Sequence, residues 1–347
     1  MKTALFDFHL PPERIAQEPA RPRDSARLLV VDGDSLEDRT MRDLPGLLRA
    51  GDMLVVNDTR VLPTRLVGKR DEAKIEATLH KRVADGAKGT EWLAFAKPAK
   101  RLKPGDRVTF ADDLSAEVVA RDGGEVRLLF TQTGPEFMRA LAAHGRMPLP
   151  PYIRRPGGST VADAQDYQTV FAARNGAVAA PTAALHFTPG LVAAIAGRGV
   201  AVRRVTLHVG AGTFLPVTAE DTKDHRMHAE WGEVTQEAAD AINAARRAGG
   251  RVVAAGTTAL RVLETAADDD GALRPFAGET ALFITPGYRF KTADLLLTNF
   301  HLPRSTLFML VAAFAGLEPM KRAYAHAVAA GYRFYSYGDA CLLRRAS

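Results

Sequence analysis

The stretch from Phe283 to Gly316 constrains the fold most strongly, because its last part is apolar on every side. The run from Asp294 to Phe300 has the length of a buried strand, and Ser305 or Thr306 then stands where a helix N-cap belongs. Residues Leu307 to Ala315 have no polar face and predict a helix surrounded by other elements. About ten apolar residues are too few to cross a bilayer, so this is a core helix.

The loop between this strand and this helix places Asn299, His301 and Arg304 beside the two capping candidates. Free N–H groups at a helix start, together with an arginine, favour an anionic group such as a carboxylate or a phosphate. Ordinary capping, with Arg304 in solvent, explains the same residues without a ligand. Both interpretations stay open at this stage.

The length and the single cysteine set further limits. A chain of 347 residues is long enough for two domains, or for one large domain with an insertion. Cys341 is the only cysteine, which excludes an intrachain disulfide and a cysteine-built zinc site. No signal-type segment and no long apolar run occurs in the sequence, so we expect a cytoplasmic protein with no membrane contact.

Positive charge is concentrated in one part of the chain. The formal net charge is +6, and residues 60–107 hold thirteen Lys and Arg against six Asp and Glu. A local basic patch attracts phosphate backbones, which favours nucleic-acid binding. Solvated surface lysines are the alternative explanation.

The segment from Val61 to Phe130 has a different sequence pattern from the rest of the chain. Short runs such as KIEATLHKRV and EVRLLF recur between Asp-Gly, Lys-Gly, Pro-Gly and Gly-Gly turns. This spacing is typical of a small antiparallel barrel. We therefore predict an inserted antiparallel β-barrel domain at residues 62–145, closed by a helix from Pro135 to Ala143 and able to contact nucleic acid.

Helices alternate with buried strands in the remaining residues, 1–61 and 146–347, which predicts a layered α/β/α main domain. Within it, residues 162–174 are expected to form one helix, and residues 268–278 a polar loop. The aromatic segment from Tyr332 to Asp339 is expected to be a strand and turn. Its side chains either stack an RNA base or belong to the core.

Two motifs in the main domain offer candidate chemistry. Gly210 and Gly212 resemble a dinucleotide loop, but the third glycine is missing, so a Rossmann fingerprint is rejected and only a close backbone approach is expected. His225 to Glu230 could hold a metal, yet no second cluster supports it. Acid–base chemistry by His228 or Glu230, or a hydrogen-bonded surface loop, explains this segment better.

Several long segments together resemble one family over essentially the whole chain. They include GDMLVVNDTRVLPTRL, APTAALHFT, VTLHVGAGTFLPV, HAEWGEV, GTTALRVLE and ITPGYRFKTADLLLTNFHLPRSTLFMLVAAF. The chain is similar in these segments to the S-adenosylmethionine:tRNA ribosyltransferase-isomerases of queuosine biosynthesis. Ala184 stands where the family usually has glycine, which would tighten a ligand pocket.

The resemblance implies a reaction and its partners. The family transfers and isomerises the ribosyl part of S-adenosylmethionine onto 7-aminomethyl-7-deazaguanine at the wobble position of tRNA, giving epoxyqueuosine-tRNA, adenine and methionine. It implies S-adenosylmethionine as cosubstrate, no metal, and a monomeric enzyme. An S-adenosylmethionine-dependent RNA methyltransferase and a non-catalytic RNA-binding protein are the alternatives.

This chemistry needs two proton-transfer groups and a site for the methionine carboxylate. The proton-transfer candidates, chosen by residue type and motif position, are His208, His228, Glu230, His186 and His301. The substrate-binding candidates are Asp58, Arg60, Gly210, Gly212, Thr257, Thr258, Asn299, Arg304, Ser305, Thr306, Tyr335 and Asp339.

Overall fold

The computed structural model describes residues 1–156, 158–210, 212 and 217–346. The strands of the described residues, in chain order, are β1 (Arg27–Asp32), β2 (Ser35–Thr40), β3 (Met53–Asn57), β4 (Thr59–Val61), β5 (Arg65–Arg70), β6 (Ala73–Gly86), β7 (Gly89–Lys97), β8 (Arg107–Ala111), β9 (Leu114–Asp122), β10 (Glu125–Phe130), β11 (Arg174–Ala177), β12 (Ala201–Leu207), β13 (Glu230–Val234), β14 (Val252–Ala255), β15 (Phe276–Thr280), β16 (Leu295–Asn299) and β17 (Ala340–Arg344). The helices are α1 (Leu44–Leu47), α2 (Gly134–His144), α3 (Val161–Asp166), α4 (Pro189–Gly197), α5 (Gln236–Arg247), α6 (Thr257–Ala266), α7 (Thr306–Ala315) and α8 (Leu317–Ala329).

One nine-stranded sheet organises the larger part of the molecule. Its strand order is β15-β13-β12-β3-β14-β16-β17-β1-β2. The four central strands, β12, β3, β14 and β16, run parallel to one another, and β17 is antiparallel to β16. Since β12 follows β3 on one side and β14 lies on its other side, the strand order reverses at β3. Ligands of α/β proteins bind at such a point, beyond the carboxyl ends of the strands.

The sheet is covered on both faces. Val55 of β3 packs in the core that holds α5 to α8, whereas its neighbours Leu54 and Val56 pack in the core that holds α1 and α4. This alternation is the period of two that a strand imposes on its side chains. The layered α/β/α prediction is therefore confirmed. None of the described helices is long and apolar enough to span a membrane.

The inserted β-barrel is also confirmed. Strands β5 to β10 close in the order β10-β7-β6-β5-β8-β9, and neighbouring strands are antiparallel. Helix α2 packs Phe137 against Phe130 of β10, with ring centroids 4.9 Å apart. The barrel core is a separate cluster formed by residues 62–141. The division of the chain at residues 62 and 145 stays a prediction.

Two local predictions in the main domain are wrong. Helix α3 ends at Asp166, because the side-chain amide of Gln168 exchanges two hydrogen bonds with the backbone of Val61 instead of continuing the helix. Residues 174–177 then form β11, which pairs with β4. The polar loop predicted to end at residue 278 already contains the start of β15.

The aromatic segment before the last strand is also not a strand. Phe334 makes a single bridge with Ile15, and Tyr335 adopts a φ of 71°, which no extended strand can contain. The last strand is instead β17, which sequence reasoning missed. Tyr332, Phe334 and Tyr337 are buried, so the core interpretation holds for these three aromatic residues.

Candidate functional site

A cavity of about 520 Å³, here called the edge cavity, lies beyond the carboxyl ends of the central parallel strands. Its described lining comes from the segments that follow β12, β14 and β16, from residues 179–183 and from the turn before β17. The predicted site residues in this lining are Glu230, Thr257, Thr258, Asn299, His301, Arg304, Ser305, Thr306 and Tyr335. The start of α7, which sequence reasoning selected, is thus part of a cavity wall. Ser305 also caps that helix, since the Phe308 N–H donates to Ser305 Oγ at 3.1 Å.

Asn299 is held rigidly at the end of β16. Its Oδ1 accepts a hydrogen bond from the Thr182 hydroxyl, and its Nδ2 donates to the Tyr335 carbonyl and to His186 Nε2. Burial, with the charges of Arg23 and Arg333, lowers the pKa of His186 to about 3. His186 is therefore neutral. It holds Asn299 through a hydrogen bond but is not part of the described lining of the edge cavity.

His301 faces the edge cavity as a neutral imidazole. Its Nε2 lies 2.9 Å from the Thr298 hydroxyl, and its backbone N–H donates to the Tyr324 hydroxyl. Burial lowers its pKa to about 3. At neutral pH it can offer or accept one hydrogen bond but carries no charge.

An aromatic wall closes one side of the edge cavity. The rings of Tyr152 and Tyr335 lie with their centroids 4.5 Å apart, and the Tyr152 hydroxyl bonds to the Ser336 hydroxyl. Burial raises the pKa of Tyr152 to about 12, so the phenol stays protonated. Such a wall suits a flat aromatic ligand group.

A second cavity of about 820 Å³, the barrel cleft, lies between the barrel and the large sheet. Its barrel side carries Lys81 and Arg82 beside Trp92 and Phe95, and its sheet side carries Arg174. Lys81 Nζ lies 2.9 Å from Glu279 Oε1 of β15 across the cleft. Exposed cations next to aromatic rings match the phosphates and bases of a nucleic acid.

His208 follows β12 and lines the barrel cleft. Its Nδ1 lies 2.8 Å from the Thr59 hydroxyl, and its ring stacks on Trp231 with centroids 5.2 Å apart. Gly176 permits this position, because a Cβ there would lie 2.6 Å from His208 Nε2. Burial first, and the charges of Arg174 and Arg82 second, lower the pKa of His208 to about 4. The imidazole is therefore neutral at pH 7 and can accept a proton.

Glu230 lies where the cavities meet. It lines the edge cavity, the barrel cleft and a third cavity of about 510 Å³, here called the side cavity. One carboxylate oxygen accepts the Gly210 N–H at 3.0 Å, and the other pairs with the Arg261 guanidinium. His228 lines the barrel cleft and the side cavity, packed so close to Gly212 that a Cβ there would lie 2.6 Å from its ring.

Three predicted binding residues are outside the described linings of all three cavities. Asp58 accepts the Thr206 hydroxyl, Arg60 donates to the Ala172 carbonyl, and Asp339 accepts the backbone N–H groups of Arg27 and Arg333. These contacts hold loops together. Among the described residues, no group of three or more His, Cys, Asp or Glu is arranged to hold a metal ion.

Sequence reasoning missed Arg261 and Tyr152. Arg261 carried a usable signal, since an arginine within the apolar face of the helix in GTTALRVLE needs a buried partner. Tyr152 carried none, because only the fold brings it to Tyr335.

Comparisons with known proteins agree on one family. A sequence profile described as queuosine biosynthesis protein matches residues 3–343. An S-adenosylmethionine:tRNA ribosyltransferase-isomerase from Beijerinckia indica is 60% identical, covering 100% of this chain and 98% of the relative. The protein with the same name from Methylocella silvestris is 62% identical, covering 99% and 98%.

A solved structure is similar as well. The crystal structure of an S-adenosylmethionine tRNA ribosyltransferase from Thermotoga maritima matches with a TM-score of 0.55 and 36% sequence identity. The match covers 97% of this chain and 99% of that one. The likeness therefore includes both the large sheet and the barrel.

Proposed function

This chain belongs to the queuosine biosynthesis family of S-adenosylmethionine:tRNA ribosyltransferase-isomerases, and on that premise we propose that its edge cavity binds S-adenosylmethionine and its barrel cleft binds the modified tRNA. The enzyme transfers and isomerises the ribosyl part of S-adenosylmethionine onto the aminomethyl group of the tRNA base. Adenine and methionine leave. The cytoplasmic location and the monomeric state remain predictions.

The observation that carries this proposal is the position of Glu230 at the junction of the cavities. A small cosubstrate in the edge cavity and a tRNA base in the barrel cleft would meet beside this carboxylate. The sulfonium group acidifies the adjacent 5′ carbon. A carboxylate next to the sulfonium stabilises that cation, and it can take up the proton of the 5′ carbon. We therefore assign Glu230 the role of the base that removes the proton from the 5′ carbon of the cosubstrate.

His208 and His228 complete the set of groups that face the reactants. The His208 ring is neutral at pH 7 and lines only the barrel cleft among the described cavities, so it can accept a hydrogen bond from the tRNA amine, which must be neutral to attack. His228 lines the barrel cleft and the side cavity but not the edge cavity, so it can protonate the departing adenine only where the cosubstrate extends past Glu230 into the side cavity. Protonation makes adenine a far better leaving group.

The charge pattern of the barrel cleft supports tRNA as its occupant. Lys81, Arg82 and Arg174 are about half exposed, and each is paired with one carboxylate at the surface, from which a phosphate can displace it. Phe95 and Trp231 are partly exposed in this cleft, and each can stack a splayed anticodon base on the face that its histidine neighbour leaves open.

One reaction mixture tests the function. The protein is incubated with S-adenosylmethionine and tRNA bearing 7-aminomethyl-7-deazaguanine, and the small products are separated by chromatography. We expect free adenine and methionine. A methyltransferase would instead give S-adenosylhomocysteine, and an RNA-binding protein would leave S-adenosylmethionine intact.

The role of Glu230 is tested by Glu230→Gln, with the exposed Glu13→Gln as the matched control. Loss of the carboxylate should slow adenine release by on the order of 100-fold or more. The control should release adenine at the wild-type rate. A Glu230→Gln protein with near-wild-type turnover would contradict the assignment.

A further inference from the structure

We propose that Arg261 and the first turn of α6 form a subsite for the carboxylate of the methionine part of S-adenosylmethionine. The inference rests on the proposed function, and it adds a binding residue that the sequence patterns did not indicate. Three features of the described residues support it: an uncapped helix start, a buried guanidinium with a free nitrogen, and an adjacent carboxylate.

The start of α6 has no side-chain cap. Its N-cap residue is Gly256, with a φ of 102°, and no side chain of the described residues caps the first N–H groups of the helix. Thr257 and Thr258 of this first turn line the edge cavity. Uncapped N–H groups and the helix dipole favour a negative charge at this position.

Arg261 is the second and independent feature. Its side chain is only 6% exposed, and it lines both the edge cavity and the side cavity. Nη1 pairs with Glu230, and Nε donates to the Leu282 carbonyl at 3.1 Å. Nη2 is buried and has no hydrogen-bond partner among the described residues. A buried guanidinium nitrogen without an acceptor is costly, so this nitrogen points to a ligand that supplies one.

The geometry of α6 brings these donors together. Arg261 follows Thr257 by four residues and Thr258 by three, which places all three on one side of the helix. Helical side chains lean towards the helix start, so the guanidinium lies over the first turn. Thr258 Oγ1 is likewise buried without a hydrogen-bond partner among the described residues. The subsite thus offers several donors to one anion.

Glu230 distinguishes between the two possible anions. A tRNA phosphate brings only negative charge, and Glu230 beside Arg261 would repel it. The methionine end of S-adenosylmethionine carries a carboxylate together with an ammonium and a sulfonium group. The Nη2 group of Arg261 can donate to the carboxylate while Glu230 faces the cations. A zwitterion therefore matches the Arg261–Glu230 pair better than a phosphate does.

The test compares S-adenosylmethionine with decarboxylated S-adenosylmethionine as substrates for adenine release. For the wild-type enzyme, we expect kcat/KM to be about 10- to 100-fold higher for S-adenosylmethionine than for its decarboxylated form. This ratio of the two kcat/KM values is the one expected for a hydrogen bond to a charged group. In Arg261→Gln this ratio should fall towards one. Because both values come from one preparation, partial misfolding of a variant does not alter the ratio.

Two further variants separate binding from structural support. Thr258→Val removes a hydroxyl that bonds to no described residue, so it should keep the fold and lower the ratio several-fold. The matched control is Arg203→Gln, since Arg203 Nε is also buried without a described partner but lies outside the described cavity linings. This control should keep the wild-type ratio. A purely structural role of Arg261 would slow both substrates equally and leave the ratio unchanged, which would overturn the proposal.

Binding measurements keep this inference separate from the proposed function. Calorimetry with the two cosubstrates in the absence of tRNA reports the same carboxylate preference without turnover. If adenine is never released but the preference exists and depends on Arg261, the function fails and the subsite stands. If adenine is released but wild-type protein treats the two cosubstrates alike, the subsite is wrong. Weaker tRNA binding by Arg261→Gln, without any carboxylate preference, would identify phosphate as the occupant.

Discussion

The position and the charge of the His208 ring are set by its neighbours. The Thr59 hydroxyl fixes one ring nitrogen, Trp231 supports one ring face, and the missing side chain of Gly176 leaves room for the other nitrogen. Burial keeps the imidazole neutral despite its exposure to the barrel cleft. A small change at any of these contacts would move the ring rather than unfold the protein.

Gly176→Ala tests this dependence on position. The added Cβ would lie 2.6 Å from His208 Nε2, so the ring must shift from the position that the Thr59 hydroxyl fixes, and the φ of 155° at this residue adds local strain. We expect adenine release to fall by on the order of 100-fold, as for other displaced catalytic groups. Gly197→Ala is the control, because a Cβ there meets nothing within 4 Å. Unchanged turnover in folded Gly176→Ala would show that the position of this ring is not critical.

Two buried histidines, His301 in the lining of the edge cavity and His186 outside it, make stability depend on pH. His186 and His301 have pKa values of about 3 in the folded protein, against about 6.5 in an unfolded chain. Between these values the unfolded chain binds protons that the folded protein does not. The free energy of unfolding should therefore fall as pH falls from about 6.5 towards 3, by about 1.4 kcal/mol per pH unit for each histidine.

Urea unfolding at pH 7 and pH 5 measures this dependence. His301→Gln keeps a side-chain amide near Thr298 but cannot titrate, so its stability should fall less steeply with acidity than that of the wild-type protein. His9→Gln removes an exposed histidine and should follow the wild-type slope. Equal slopes in all three proteins would mean that His301 is not kept neutral by the fold.

At the scale of elements, α6 connects the site to the segment that leads into β16. Its first turn and Arg261 face the cavities, while Glu264 on its last turn holds the segment before β16. The Glu264 carboxylate is buried and accepts the N–H groups of Lys291 and Thr292 and the Thr292 hydroxyl. The same helix therefore positions donors at one end and the approach to β16 at the other.

Glu264→Gln should lower the free energy of unfolding by about 3 kcal/mol. The amide presents two N–H groups to backbone donors that need acceptors, and buried donors are left unpaired. Chemical denaturation of this variant measures the loss. Glu318→Gln, at an exposed position on α8, should change stability by less than about 0.5 kcal/mol. Comparable stabilities for the two variants would exclude Glu264 as the anchor.

At the scale of the whole molecule, the chain separates its two recognition tasks. The barrel supplies exposed cations, and the large sheet supplies a cavity at its carboxyl edge. The two surfaces meet only because the barrel is inserted between β4 and α3, close to the strand ends. Contact across the cleft, such as that of Lys81 with Glu279, sets its width.

Charge variants of the cleft should change tRNA affinity in opposite directions. Lys81→Gln removes a cation, so affinity should fall and the salt dependence of binding should decrease by about one counterion. Glu279→Gln frees Lys81 from its partner and should raise affinity. Lys321→Gln, on α8 and outside the described cavity linings, is the control. Binding titrations at several salt concentrations measure both quantities, and identical salt slopes in all variants would exclude the cleft as the phosphate contact.

Local patterns in the sequence determined much of the fold. The alternation in the barrel strands, the fully apolar runs of β3 and α7, and the capping serine before α7 each act within a few residues, so they are visible in one dimension. The family motifs also placed His208, His228 and Glu230 among the candidates. The sequence prediction was wrong where a side chain bonds to a distant backbone group instead of following the local helical pattern, as Gln168 does with Val61.

Only the tertiary structure decided which candidates share a cavity. Arg261 reaches Glu230 because β13 lies beside α6, although the two residues are 31 positions apart. Asp58 and His208 both follow central strands, yet only His208 lines a described cavity, because Asp58 turns towards Thr206. The order of strands in a sheet is set by packing over long sequence distances, and spacing along the chain does not encode it.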